Sequence, residues 1–223
     1  MNIPTWTEAE RMMSEAKARN PGAWAQHAQY VAQAARIIAS RHPRLDPEIA
    51  YILGYLHDIG RREGTSDLRH TLDGYRYLMG QGFPDAAQIC LTHSFPIKDL
   101  RLYSGNRWDC TAEEIQFLNN YLANVVYSDY DRLIQLCDAL CLPTGFCLME
   151  KRFVDVALRH GVNEMTAVKW KALLQLLQAF EMEIGEKIYR LLPGVVENTF
   201  GFTSAAQEPS NPAEDNPRPG APR

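Results

Sequence analysis

Six side chains between His27 and Asp138 are of types that could share one chemical task. His57 and Asp58 are adjacent. They close the apolar stretch Ala50-Tyr-Ile-Leu-Gly-Tyr-Leu, and Gly60, Arg61 and Arg62 follow them. Apolar neighbours on this scale place the pair at the inner end of a buried helix. An ionised Asp58 left unpaired there costs several kcal/mol, which a cation or a bound metal offsets. The partners read against this pair are His27 on a predicted helix before it, His70 and His93 on predicted helices after it, and Asp138 closing Leu133-Ile-Gln-Leu-Cys. Asp138 is preferred to Asp129 and Asp131, which fall at the exposed start of their helix, Asp131 as a cap; Asp73 shares a helix with His70. One histidine on an apolar helical face is ordinarily a hydrogen-bonded core residue, so the ordered set carries the reading. His42 and His160 stand at helix ends as partners of the helix dipole and are excluded from it.

The order His, His-Asp, His, His, Asp over about residues 24–145 resembles the HD superfamily of metal-dependent phosphohydrolases. In ligand number it is most similar to the dinuclear branches, which include bacterial diadenosine tetraphosphate hydrolases and HD-GYP phosphodiesterases. The resemblance implies an all-α, HD-type helical bundle with additional C-terminal helices. It also implies that His27, His57, Asp58 and Asp138 hold one ion while Asp58 bridges to a second held by His70 and His93. Asp58 and Arg61 are then the expected catalytic residues. The nitrogen and oxygen donor set suits divalent first-row metals, iron or manganese first, with zinc, magnesium, nickel or cobalt as alternatives. Two such cations lower the pKa of a shared water, so the expected reaction is hydrolysis of a phosphoester or phosphoanhydride in a small nucleotide or related phosphorylated metabolite. The alternatives are a regulatory domain that keeps the metal cage without turnover and an HD-like di-iron oxygenase.

Substrate phosphates need further cations. Arg61 lies three residues after Asp58, where the diadenosine tetraphosphate hydrolases typically carry lysine. Its fork grips phosphate in two places rather than as a point charge, and the competing reading is a solvated cation at a helix end. Lys98, Arg101 and Arg107 on a loop, and Lys151 and Arg152 beyond the last ligand, are further candidates, each also readable as plain surface charge. Trp24, Tyr30, Tyr103, Trp108, Tyr127 and Tyr130 could stack on a base, although aromatics in a bundle usually serve its core.

The elements that must position these residues are helical almost throughout. Thr7-x-x-Glu10 reads as a capping box for a first helix ending at Asn20-Pro21-Gly22. Trp24, His27, Val31, Ala34, Ala35 and Ile38 form the inward stripe of a second. Asp46-Pro47 caps the third, which is expected to run to Ile59 and stop at Gly60. Helices follow from about Leu68 to Gly80, where Gly74 permits close helix approach, and from Pro84 to His93. Residues 95–110 read as a long loop of the kind that forms lids. Capping boxes at Thr111-x-x-Glu114 and Ser128-x-x-Asp131 open two more helices, and the last two are expected over Gly145–His160 and Thr166–Leu192.

With 46% apolar and 22% charged residues, the 223-residue chain can bury one sizeable core, expected over residues 1–202. A net charge of −4 supplies no basic stripe, which disfavours a nucleic-acid polymer as partner. No signal-like start or membrane-length apolar run is present, so a cytoplasmic location without membrane attachment is expected. Five cysteines without a Cys-x-x-Cys pair speak for reduced thiols, with Cys137 and Cys141 flanking Asp138 as conceivable ligands. The proline-rich segment 203–223 is expected to be a disordered tail. The stripe Leu173, Leu174, Leu176 and Leu177 is a candidate homodimer face.

Overall fold

The chain enters its first helix, α1 (Trp6–Arg19), at Thr5 and not at Thr7. Both threonines precede a glutamate by three residues, but it is Glu8 whose carboxylate takes the Thr5 amide at 2.8 Å. The computed structural model describes residues 1–103 and 108–202. The expected tail 203–223 and the loop candidate Arg107 lie outside the described residues.

Helices α2 (Trp24–Ala39) and α3 (Pro47–Leu56) form the centre. Asp46 accepts the Glu48 and Ile49 amides at 2.8 and 3.0 Å, so the cap and the proline at the first position act as the sequence indicates. All of α3 from Ala50 to Leu56 is buried, and Gly54 rests on α2, where an added methyl would meet Ala32 Cα at 2.9 Å. Burial of Leu53, Leu56 and Ile59 contributes about 1.5–3 kcal/mol each.

The third helix stops earlier than expected. It ends at Leu56, His57 is its cap, and Asp58 (φ −104°, ψ 14°) turns the chain into a 3-10 segment, Ile59–Glu63. Gly60 lies inside that segment and is required by packing: a methyl there would overlap the His70 carbonyl oxygen and the Gly74 amide nitrogen. The tightened turn lets this segment lie against α4 (Arg69–Gly80), and Gly74 in turn faces Cys90 of α5 (Pro84–Thr92).

The stretch after α5 packs down in part. A short 3-10 turn at Leu100–Leu102 buries Leu100 and Leu102 with Leu68, Leu72, Leu91 and Phe95 against Leu118 and Leu122 of α6 (Ala112–Asn124). Helix α7 (Asp129–Ala139) starts with the expected Ser128–Asp131 box, yet Asp131 is fully buried and not at an exposed start. It accepts from Thr92 Oγ1 at 2.6 Å and Gln88 Nε2 at 2.9 Å, which ties α7 to α5.

A two-residue antiparallel hairpin, β1 (Cys141–Leu142) with β2 (Gly145–Phe146), precedes α8 (Met149–His160). It delays that helix from its expected start at Gly145, whose φ of 143° suits the turn. Helix α9 (Thr166–Ile184) ends well before Leu192 because Gly185 takes the left-handed conformation (φ 70°). Two short helices follow, α10 (Ile188–Leu191) and α11 (Val195–Phe200). Among the described residues the chain is thus all-α apart from the hairpin, and no helix is long and apolar enough to cross a membrane. Leu173 and Leu177 are buried within the chain, while Leu174 is exposed.

Candidate metal centre

The six ligand candidates converge where α2, α3, α4, α5 and α7 meet. His57 and His93 are the C-cap residues of α3 and α5, where the last-turn carbonyls lack helical partners. Each imidazole uses one: His57 Nδ1 donates to Gly54 O at 2.7 Å, and His93 Nδ1 donates to Cys90 O at 2.8 Å. His70, in the first turn of α4, donates Nδ1–H to Asp67 O in the same three-residue pattern. With the proton on Nδ1, each Nε2 is left as a lone pair. His70 Nε2 and His93 Nε2 then face one another at 3.3 Å as two acceptors, a contact that only a shared proton or a cation makes favourable.

Asp58 Oδ1 completes this triangle, 3.3 Å from His70 Nε2 and 3.7 Å from His93 Nε2. Two ligand atoms on one ion, each bonded at about 2.0–2.2 Å, stand roughly 3.0–3.6 Å apart, so two of the three separations match a single coordination sphere and the third exceeds it by about 0.1 Å. A second group lies beside it: His27 Nε2 is 2.8 Å from Asp138 Oδ1, and donor atoms of His27, His57 and Asp138 all lie within 4.8 Å of one another. His57, Asp58 and His93 satisfy the same criterion, which makes His57 and Asp58 the link between the groups. His57 Nε2 and Asp58 Oδ1 are buried without a hydrogen-bond partner among the described residues. Buried polar atoms of this kind are rare unless something else satisfies them, and the residues fit a divalent metal.

Electrostatics agree with the donor assignment. Burial pushes the Asp58 carboxyl up, but Arg61, bonded through Nε at 2.7 Å, holds it well below the usual carboxylate range. Asp138 behaves alike: burial opposes its charge, and the His27 hydrogen bond and Arg152 outweigh it. Burial drives His93 down to about 4 and His70 well below its ordinary value, leaving both neutral. Cys137 and Cys141 are also buried, which raises both thiols well above their ordinary value, and neither belongs to a ligand group.

The centre opens into a cleft of about 120 Å³. Arg61 lines it. Lys98 and Arg101 do not: Lys98 is exposed beside the Tyr127 ring, and Arg101 is paired with Asp99 at 2.6 Å. Arg152 lines the cleft and is bonded to Asp138 Oδ1 at 3.1 Å, whereas Lys151 is exposed. Of the six candidate aromatics Tyr103 alone is in the lining; Tyr127, for example, donates to Phe95 O at 2.7 Å.

Sequence reasoning missed Arg159, His160, Lys169 and Trp170, which all line the cleft. In the sequence His160 reads as a helix-end residue. Arg152, Val156 and Arg159 recur at helical spacing on α8, which was the available signal. His42 lies away from the cleft, bonded to Glu183 at 2.8 Å.

No curated protein and no solved structure matches the chain. The pattern of the HD domain family, by contrast, matches residues 24–142, a span that opens three residues before His27 and closes four after Asp138. The helical architecture, the paired His57 and Asp58 and the convergent histidines are accounted for together: the chain belongs to the HD domain family.

Proposed function

We propose that this protein is a metal-dependent phosphohydrolase of the dinuclear type, acting on a small nucleotide or related phosphorylated metabolite. The observation that carries the reading is the set of three Nε2 lone pairs, on His57, His70 and His93, fixed by Nδ1–H donation to main-chain carbonyls beside the buried Asp58 and the partly exposed Asp138. His27, His57, Asp58 and Asp138 would hold one ion and Asp58, His70 and His93 the other, with iron or manganese suited to the donors. Bound divalent ions supply Lewis acidity toward phosphoryl oxygen and a nucleophilic water at neutral pH.

The chain's own residues do the rest. Arg61 is anchored by Nε to Asp58 and by Nη1 to Ser66 O at 3.4 Å, which leaves Nη2 for a phosphoryl oxygen in the cleft. Arg152 is oriented by Asp138 and by Asp155 at 3.2 Å, so both arginines are positioned before substrate arrives. Preorganised cations of this kind stabilise charge that develops at phosphorus without reorganising during the step. Burial keeps the His70 and His93 imidazoles neutral and their lone pairs available.

The test combines metal analysis of protein purified without chelators with phosphate release from a panel of nucleotides and phosphorylated metabolites. We expect about two ions per chain, falling by about one in His70→Ala or His93→Ala, and release that drops about 10²–10³-fold in Arg61→Met. Dioxygen consumption without phosphate release would transfer the reading to an oxygenase, and nucleotide binding without release to a regulatory domain.

A further inference from the structure

The outer wall of the cleft is built by α8 and α9, both beyond the residues that define the family. The charged side chains in the lining are two carboxylates, Asp58 and Asp138, and four cations, Arg61, Arg152, Arg159 and Lys169. Each carboxylate already has its arginine, Asp58 with Arg61 at 2.7 Å and Asp138 with Arg152 at 3.1 Å. Lys169 is therefore the surplus cation, and Arg159 beside it is balanced from outside the lining by Asp155 at 2.7 Å.

Arg159 is braced as a binding group would be. Asp155 accepts its Nη2 at 2.7 Å, and Nη1 donates to His160 Nε2 at 3.0 Å, while His160 Nδ1 faces Asp67 at 3.4 Å. His160 thus acts as a neutral acceptor that fixes the guanidinium. Lys169 has no ion pair among the described residues, although it is partly buried beside the apolar lining of Phe153, Val156, Trp170 and Leu173. A half-desolvated ammonium without a counter-charge is costly unless an anion completes it. Trp170 is stiffened by stacking on Phe153, centroids 5.2 Å apart and planes within 3°.

We propose that Lys169 and Arg159 form a second anion site in the cleft, so that the substrate is a small molecule with two anionic groups. One group meets the Asp58 and Asp138 end, and the other, a phosphate or carboxylate on the same molecule, meets the wall supplied by α8 and α9. The substrate class in this inference rests on the phosphohydrolase reading above; the anion site itself does not. Lys169 and Arg159 are specificity residues, and His160 is a positioning residue for Arg159.

The test is calorimetric titration of the metal-loaded full chain with propane-1,3-diyl bisphosphate and with 3-hydroxypropyl phosphate. The bisphosphate is expected to bind at least about tenfold more tightly, the effect of one added charge-assisted contact. That ratio should fall to within about threefold of unity in Lys169→Met, persist in Lys169→Arg, and decline in Arg159→Gln, whose half-exposed position keeps the test valid if Lys169→Met does not fold. Equal affinities in the wild type, or a ratio unchanged in variants with native circular dichroism, would overturn the proposal. The two readings fail separately. Bisphosphate preference without any phosphate release would remove the hydrolase and leave the anion site, whereas release without preference would remove the anion site alone.

Discussion

Replacing Gly60 by alanine tests whether the turn after His57 and Asp58 positions the metal centre. Gly60 has no need of left-handed backbone freedom, since it is absent from the glycines with positive φ, so alanine is conformationally permitted there. The cost is steric alone. A methyl would stand 3.0 Å from the His70 carbonyl carbon and overlap that residue's oxygen and the Gly74 amide nitrogen. All three atoms are backbone and cannot rotate aside, so the 3-10 segment and α4 must separate by on the order of 1 Å. Overpacking of this kind costs about 1–3 kcal/mol, and rigid partners place it at the upper end. At about 2–4 °C per kcal/mol for a chain of this size, a 3 kcal/mol penalty lowers the Tm by about 6–12 °C. Gly80→Ala is the control: it ends α4 with nothing within 4 Å of its added methyl, so it should be neutral or stabilising by up to about 1 kcal/mol. Because the same movement carries His70 away from Asp58, metal affinity measured by competition with a chelating dye should fall at least about tenfold. A Gly60→Ala protein that melts within about 2 °C of wild type and binds metal as tightly would refute the reasoning.

Thr92→Val removes the 2.6 Å hydroxyl bond to Asp131 Oδ1 in a fully buried setting while keeping side-chain shape. The orphaned carboxylate oxygen should cost about 1–3 kcal/mol in urea unfolding, and a loss below about 0.5 kcal/mol would show that the bond does not tie α5 to α7. The bisphosphate preference should depend on pH. Burial pushes the Lys169 ammonium down to about 8, against the attraction of Asp138 and with the repulsion of Arg152. A depressed lysine is charged below that value, so the preference should be full near neutrality and fade as pH rises through about 8. In Lys169→Arg it should stay flat over the same range, and an equal decline in both proteins would assign the titration to another group.

What could be read from the residues was local or ordered along the chain. Asp46-Pro47, Thr111 with Glu114 and Ser128 with Asp131 each close a hydrogen-bonded cap within four residues, so their chemistry is complete in the sequence. The inward stripe of α2 carries His27 for the same reason: one face of a helix is a fixed set of positions. Gly60 reads as a stop because a glycine that ends a helix and one that admits a neighbouring backbone look alike in one dimension. The burial of Asp131 is not legible in the sequence because it depends on Thr92 and Gln88, which come from another helix.

The outer wall of the cleft shows the same limit more sharply. Arg152, Arg159, His160 and Lys169 each resemble ordinary surface charge on a helix, and only the meeting of α8 and α9 at one cleft gathers them. The histidines, by contrast, carried a local signal. His57, His70 and His93 all donate to the carbonyl three residues back, and two of them do so from helix C-caps, where such carbonyls are free. A histidine just past an apolar helix therefore has its tautomer set before any tertiary contact forms, with the unprotonated nitrogen aimed onward. The arrangement of these imidazoles is thus written partly into where the helices stop, while the outer wall of the cleft depends on helices whose contribution exists only after folding.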